Sequence, residues 1–430
     1  MTAEVAILNK SAVALAADSA VTTEVQSGQK VFNTANKLFA LSKYRPVGIM
    51  VHGNSEFIAL PWETIIKYYR SKLKDSSFPT LLEYAEHFLA FLQQESALLW
   101  PEPIQRQYFQ GFVGAYFQLV LNEINGEVSK SLSAGNQLSE QDIADIASRF
   151  ARSHREEWDG LPKVPSVPDR YSTDISRDYA NEIQTALTNI FQALPLTPAT
   201  IADLKSIASQ LFSKQRFPSS VSGIVVAGFG EHEIFPTAAS FTLEAVVRNK
   251  LKYHQDQVAR ASRDSPALIM SFAQREMVNT FMEGIDPLFR QTIAAYLDEL
   301  VHNYPSQILA AIPEIPQPRR DELSAALATN AAQVLQHFGS RIQTYIDERH
   351  VGPVINAVAA LPKDDLAAMA EALVNLTSFK RKVTLEPETV GGPIDVAVIS
   401  KGDGFIWIKR KHYFKPEFNQ SFFSNYYREH

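Results

Sequence analysis

The 430-residue sequence predicts an α+β fold, and three observations carry that prediction. Short apolar runs of strand character cluster in three blocks, at roughly 1–70, 220–285 and 365–412. Helical spacing fills the long intervals between them, from about 75 to 215 and from 286 to about 379. Neither of two expected sheets is complete within one block, so the blocks read as one discontinuous domain interrupted by helical insertions. The expected divisions are 1–74 for the first part of the core and 75–215 for a helical insertion. A second sheet follows over 216–285, then a helical extension over 286–363, and finally a C-terminal helix, hairpin and aromatic tail over 364–430.

The first block opens on Met1-Thr2. Removal of the methionine leaves Thr2 with its hydroxyl and a free α-amine on one carbon skeleton. Such an amine has an ordinary pKa of roughly 7.7–8.0, so near neutrality it can take the hydroxyl proton. Ala3 to Leu8 and Ala12 to Ala17 read as two strands joined at Asn9-Lys10-Ser11, and the hairpin ends at Asp18-Ser19. Its length returns Asp18 to the side of Thr2. Lys30 opens the next apolar stretch, Lys30-Val31-Phe32, and can bring a cation to the same end. Lys37 to Leu41 and Val47 to Val51 read as further strands around a turn at Lys43 to Pro46, the second running into His52-Gly53-Asn54-Ser55. Asn54 or Ser55 is the expected cap of a helix carrying Trp62, Ile65, Ile66 and Tyr69.

Helices follow, with a capping-box signature at Thr80 and Glu83 and another helix start at Ser139 with Asp142. Leu161 to Asp169, rich in proline, is a loop, and Thr197 to Phe212 a later helix. Strand character returns at Gly223 to Gly230, then over Ala238 to Val247 and Leu251 to Ala261. Pro266 to Ser271 leads into a helix reaching Ile285. Asp364 is the expected cap of a last long helix. Glu388 to Ile399, the turn at Lys401 to Gly404 and Phe405 to Ile408 form a terminal hairpin.

Thr2, the Ala-Ala-Asp-Ser run at 16–19, Thr22 and Lys-Val-Phe at 30–32 resemble the start of a proteasome β-subunit and of its simpler bacterial relative. The resemblance implies an N-terminal nucleophile (Ntn) hydrolase, a four-layer αββα sandwich here bearing large helical insertions. It implies that Thr2 attacks, that Lys30 lowers the hydroxyl pKa and that Asp18 holds Lys30 charged. It places the oxyanion hole at the backbone of His52 and Gly53, and a first specificity pocket at Val21, Thr22 and Met50. Gly391-Gly392 match the family's Asp-x-x-Ser-Gly-Gly motif, with Val390 at the serine position and Pro387 at the aspartate position. Glu386 and Glu388 are the carboxylates available to substitute, and Ser271 is the nearest candidate for a second supporting serine.

Composition narrows the alternatives. A formal charge of −6 without a long basic run gives no case for nucleic acid. No apolar run reaches the roughly 18 residues of a membrane span, and no signal peptide opens the chain. Zero cysteines exclude disulfides, thiol catalysis and thiolate metal sites, as fits a cytoplasmic protein. The histidines show no metal-ligand spacing, so neither metal nor cofactor is expected. Taken singly, Thr2 is a common residue after an initiator methionine, Asp18 a strand-end turn residue, Lys30 a solvated charge and His52 a hydrogen-bonded structural histidine. Together with Thr22 and the diglycine they predict a threonine-type amidohydrolase, a peptidase acting on a peptide or protein. A transpeptidase is the variant in which an amine takes the acyl group. A non-catalytic scaffold or binding subunit of the same fold is the alternative. A homo-oligomer and a separate regulatory partner are the expected associations.

Overall fold

The computed structural model describes residues 3–25, 28–32, 34–312, 314–384, 390–412 and 414–427. The chain is a mixed helix-and-sheet protein. Its strands, in chain order, are β1 (Ala3–Asn9), β2 (Ala12–Ala17), β3 (Val21–Val25), β4 (Gly28–Phe32), β5 (Leu38–Ala40) and β6 (Val47–Gly53). After these come β7 (Glu56–Phe57), β8 (Leu60–Pro61), β9 (Ser222–Gly228), β10 (Thr237–Val247), β11 (Lys250–Arg260) and β12 (Ala267–Ala273), then β13 (Asp395–Ser400) and β14 (Gly404–Lys409). The chain divides into two compact units, one of Met1–Leu38, Glu233–Thr237 and Ala259–His430, the other of Phe39–His232 and Ala238–Val258.

The first unit is built on a five-stranded sheet in the order β12-β1-β2-β13-β14. Its described ladders β12-β1, β1-β2, β2-β13 and β13-β14 are all antiparallel. Every residue of β1 and β2 is buried, which is why these strands read as continuous apolar runs rather than alternating ones. Ala3, Val5, Ile7, Ala12, Ala14 and Ala16 pack on one face with Leu366, Ala370, Leu373 and Val374 of the helix Lys363–Val383. The β1–β2 turn is set by Asn9, whose Oδ1 accepts from the Ser11 and Ala12 N–H groups at 3.0 and 3.1 Å. Its Nδ2 donates to the Val358 and Leu361 carbonyls, so this buried amide is satisfied on both sides. Asp364 lies in the first turn of the helix Lys363–Val383, whose N-cap is Pro362, rather than at the cap itself. There it favours the helix through the dipole instead of through a cap hydrogen bond. The helices Pro287–Ala310 and Gln317–Ile346 pack on each other and leave Leu288, Tyr296, Tyr304 and Tyr345 exposed.

The second unit carries the sheet β11-β10-β9-β6-β5. Val47, Ile49 and Val51 of β6 pack with Ile224 and Val226 of β9 and with Trp62, Ile66, Tyr69, Phe88 and Leu92 of two helices. The second of those helices, Leu81–Gln94, is capped as expected, the Thr80 side chain accepting from the Glu83 N–H at 3.3 Å. The first starts later than Asn54 or Ser55 would place it. The short β7–β8 ladder intervenes, Pro61 is its N-cap, and Asn54 donates instead to the Ser220 carbonyl. A separate aromatic-rich cluster fills the helical stretch that follows, from Phe109 on Glu102–Ser133 to Phe212 beyond Pro198–Gln210. The reciprocal capping box at Ser139 and Asp142 starts one of its helices. Among the described residues no helix is long and apolar enough to cross a membrane.

Candidate active site

The chemistry gathers where β2 ends. Asp18 follows the last residue of β2 and is fully buried. Its carboxylate accepts four hydrogen bonds from the described residues. Oδ1 takes the Ala3 N–H at 3.1 Å and the Lys37 ammonium at 2.7 Å. Oδ2 takes the Ala20 N–H at 3.2 Å and the Gly391 N–H at 3.0 Å. Such saturation is what a buried carboxylate requires. Gly391 is held from its other side as well, its carbonyl accepting from the Ser19 N–H at 3.1 Å. One side chain therefore ties the start of β1, the turn after β2 and the diglycine before β13 to a single lysine.

That lysine is Lys37. Lys30 stands in β4, where its backbone is opposite Thr23 in the β3–β4 hairpin, and its side chain lies outside the described residues. The hairpin takes up the chain between Val21 and Phe32, and Lys37 is the residue that then enters β5 beside Asp18. Lys37 is buried and also donates to the Ala20 carbonyl at 2.6 Å. Burial pulls its pKa below that of an ordinary lysine, and the negative charge of Asp18 opposes the fall. An ammonium poised this way can shift the proton equilibrium of a hydroxyl beside it.

Three further titratable groups, none singled out from the sequence, surround this pair. Glu4 is buried on β1, and neither of its carboxylate oxygens has a hydrogen-bond partner among the described residues. Desolvation raises its pKa to about 8, against the pull of Lys37. Asp395 opens β13 and lies opposite Ala17, as does Glu4 from the other side, so the two acids share a face. Lys411 clamps Asp395, its N–H donating to Oδ1 at 2.8 Å and its ammonium to Oδ2. A glutamate inside the run Ala3 to Leu8 and an aspartate opening the run to Ile399 are the sequence signals that could have found them.

Thr2, Glu386 and Glu388 lie outside the described residues. Ser271 stands opposite Val5 on β12, on the face that packs on the helices, whereas Glu4 occupies the other face. Val21 and Thr22 open β3. In the second unit Met50 is buried within β6, and His52 and Gly53 end that strand. Gly53 has φ +79°, and a Cβ there would come 2.1 Å from the Val221 carbonyl oxygen, so glycine is required. The His52 ring lies over Gly223, where a Cβ would stand 1.9 Å from its Cε1.

No protein-family model matches the chain, and no curated protein matches it. Among solved structures it is similar to the Gly-1 mutant of Anbu from Hyphomicrobium sp. strain MC1. The identity is 9%, over 99% of this chain and 96% of that one, with a TM-score of 0.23. The likeness is distant, and the geometry of the site stands without it.

Proposed function

We propose that the chain is a threonine-type Ntn amidohydrolase, a peptidase whose nucleophile is Thr2. The observation that carries this is the buried Asp18 cluster, which gathers the Lys37 ammonium, the Gly391 N–H and the N–H of Ala3, the residue that follows Thr2 in the chain. In this scheme the Thr2 Oγ attacks an amide carbonyl while the α-amine takes the hydroxyl proton and later passes it to the departing amine. Lys37, held charged by Asp18, lowers the Oγ pKa. The oxyanion that forms requires backbone N–H donors aimed at it. Water then releases the acyl-enzyme, or an amine takes it in the transpeptidase variant. With this assignment go the αββα arrangement and the helical segments 75–215 and 286–363 as insertions. Assembly into homo-oligomers and a separate regulatory partner belong to the same proposal.

A non-catalytic scaffold is the second reading, favoured by Pro387 and Val390 where the family motif carries aspartate and serine. One experiment separates the two. The intact mass of native protein shows whether Thr2 bears the free amine, and a threonine-directed electrophile is then added. The enzyme reading expects one adduct on the Thr2 peptide, lost in T2A and in K37M. Absence of any adduct on protein whose N-terminal residue is Thr2 would leave the scaffold.

A further inference from the structure

We propose that Glu4 is a positioning residue of this site: a third buried acid that shares the Lys37 ammonium with Asp18 and governs how firmly Lys37 keeps its proton. The bearing on Thr2 rests on the function proposed above, whereas the charge sharing itself does not.

The geometry leads to Glu4 in three steps. Alternation along β1 sends Ala3, Val5 and Ile7 to the helix-packed face and Glu4 to the opposite one. On that face its cross-strand neighbours are Phe272 on β12 and Ala17 on β2, neither of which can accept or donate through its side chain. The charged groups around it are Asp18 and Lys37 and, one strand further across Ala17, Asp395 with its clamp Lys411. Asp395 has its own cation, and Asp18 is saturated by four donors. Lys37 is therefore the one cation left for Glu4 among these groups.

A buried carboxyl with no hydrogen-bond partner among the described residues keeps its proton at neutral pH, and the raised pKa of Glu4 agrees. In that state Asp18 alone balances Lys37. When Glu4 ionises, giving its proton to water, a second carboxylate acts on the ammonium and Lys37 holds its own proton to higher pH. Glu4 thus buffers the charge of Lys37 against alkali.

The test is a pH titration by NMR of full-length protein carrying 13C-labelled glutamate and lysine side chains. The Glu4 carboxyl is assigned by its loss in E4Q, and Lys37 by its loss in K37M. Burial predicts a Glu4 midpoint near pH 8, and sharing predicts a Lys37 midpoint in E4Q below that of wild type. E4D, which keeps the charge, restores most of that difference. A Glu4 midpoint in the ordinary carboxylate range, or an unchanged Lys37 midpoint in E4Q, overturns the proposal. Should E4Q not fold, the wild-type titration decides alone: shared, both signals respond across the Glu4 transition; unshared, each moves by itself. Thr2 labelling against pH is the parallel readout. A shifted Lys37 without any Thr2 adduct upholds the sharing and sinks the hydrolase, and an adduct without the shift does the reverse.

Discussion

Replacing Asp18 by asparagine tests the centre of the site with almost no change of shape. The carboxylate has two donors on each oxygen, at 3.1 and 2.7 Å on Oδ1 and at 3.2 and 3.0 Å on Oδ2. An amide keeps only one accepting oxygen, so its NH2 must face two of those donors. If it faces Ala20 and Gly391, two buried N–H groups lose their acceptor, at about 1–3 kcal/mol each. If it faces Ala3 and Lys37, the ammonium meets a donor. In either orientation Lys37 is left buried without its counter-charge, a loss of about 3–5 kcal/mol for a pair of this kind. These costs overlap, and D18N is expected to destabilise the first unit by about 4 kcal/mol. Urea unfolding gives the global change, and hydrogen exchange of peptides from β1, β2 and β13 locates it. D18N/K37M, which removes the stranded charge as well, should recover most of the loss, since an apolar replacement of a buried pair costs far less than a broken one. A D18N protein within about 1 kcal/mol of wild type, with unaltered exchange in β1 and β2, would refute the account of this cluster.

Two other perturbations probe Glu4 and Gly53. Folded Glu4 binds its proton more tightly than the unfolded chain does, so its contribution is complete below the unfolded value of 4.5 and is lost as pH rises toward 8. Over that window wild type should lose up to about 4–5 kcal/mol relative to E4Q, and equal slopes of stability against pH in the two proteins would contradict it. In the second unit, G53A places a Cβ at 2.1 Å from the Val221 carbonyl at a positive φ. A loss of about 2–3 kcal/mol or failure to fold is expected, and an unchanged melting temperature would show that the β6 terminus relaxes freely.

The hairpin at the start of the chain was legible because two apolar runs flank Asn9-Lys10-Ser11, whose turn chemistry is local. The caps at Thr80 and Ser139 were legible for the same reason. Choosing between Lys30 and Lys37 was not, since each precedes an apolar pair, Val31-Phe32 or Leu38-Phe39. The β3–β4 hairpin takes up the intervening chain before Lys37 arrives beside Asp18. Glu4 escaped because a polar residue in a strand ordinarily marks a solvated face, whereas this sheet buries both. Asp395 and Lys411 escaped because they reach the cluster through the pairing of β13 with β2, which joins residues more than three hundred positions apart.

That pairing has a consequence in time. Asp18 waits for Gly391, 373 residues downstream, before its carboxylate is saturated. At the usual pace of about 5–20 residues per second, a ribosome needs roughly 20–75 s to make that stretch. Until β12 (Ala267–Ala273) is made the β1–β2 hairpin lacks both its outer neighbours, and until β13 (Asp395–Ser400) is made one of its edges stays open. A nascent chain therefore carries an unfinished Asp18 cluster until residue 391 has been made, and carries with it a segment that a chaperone has reason to shield.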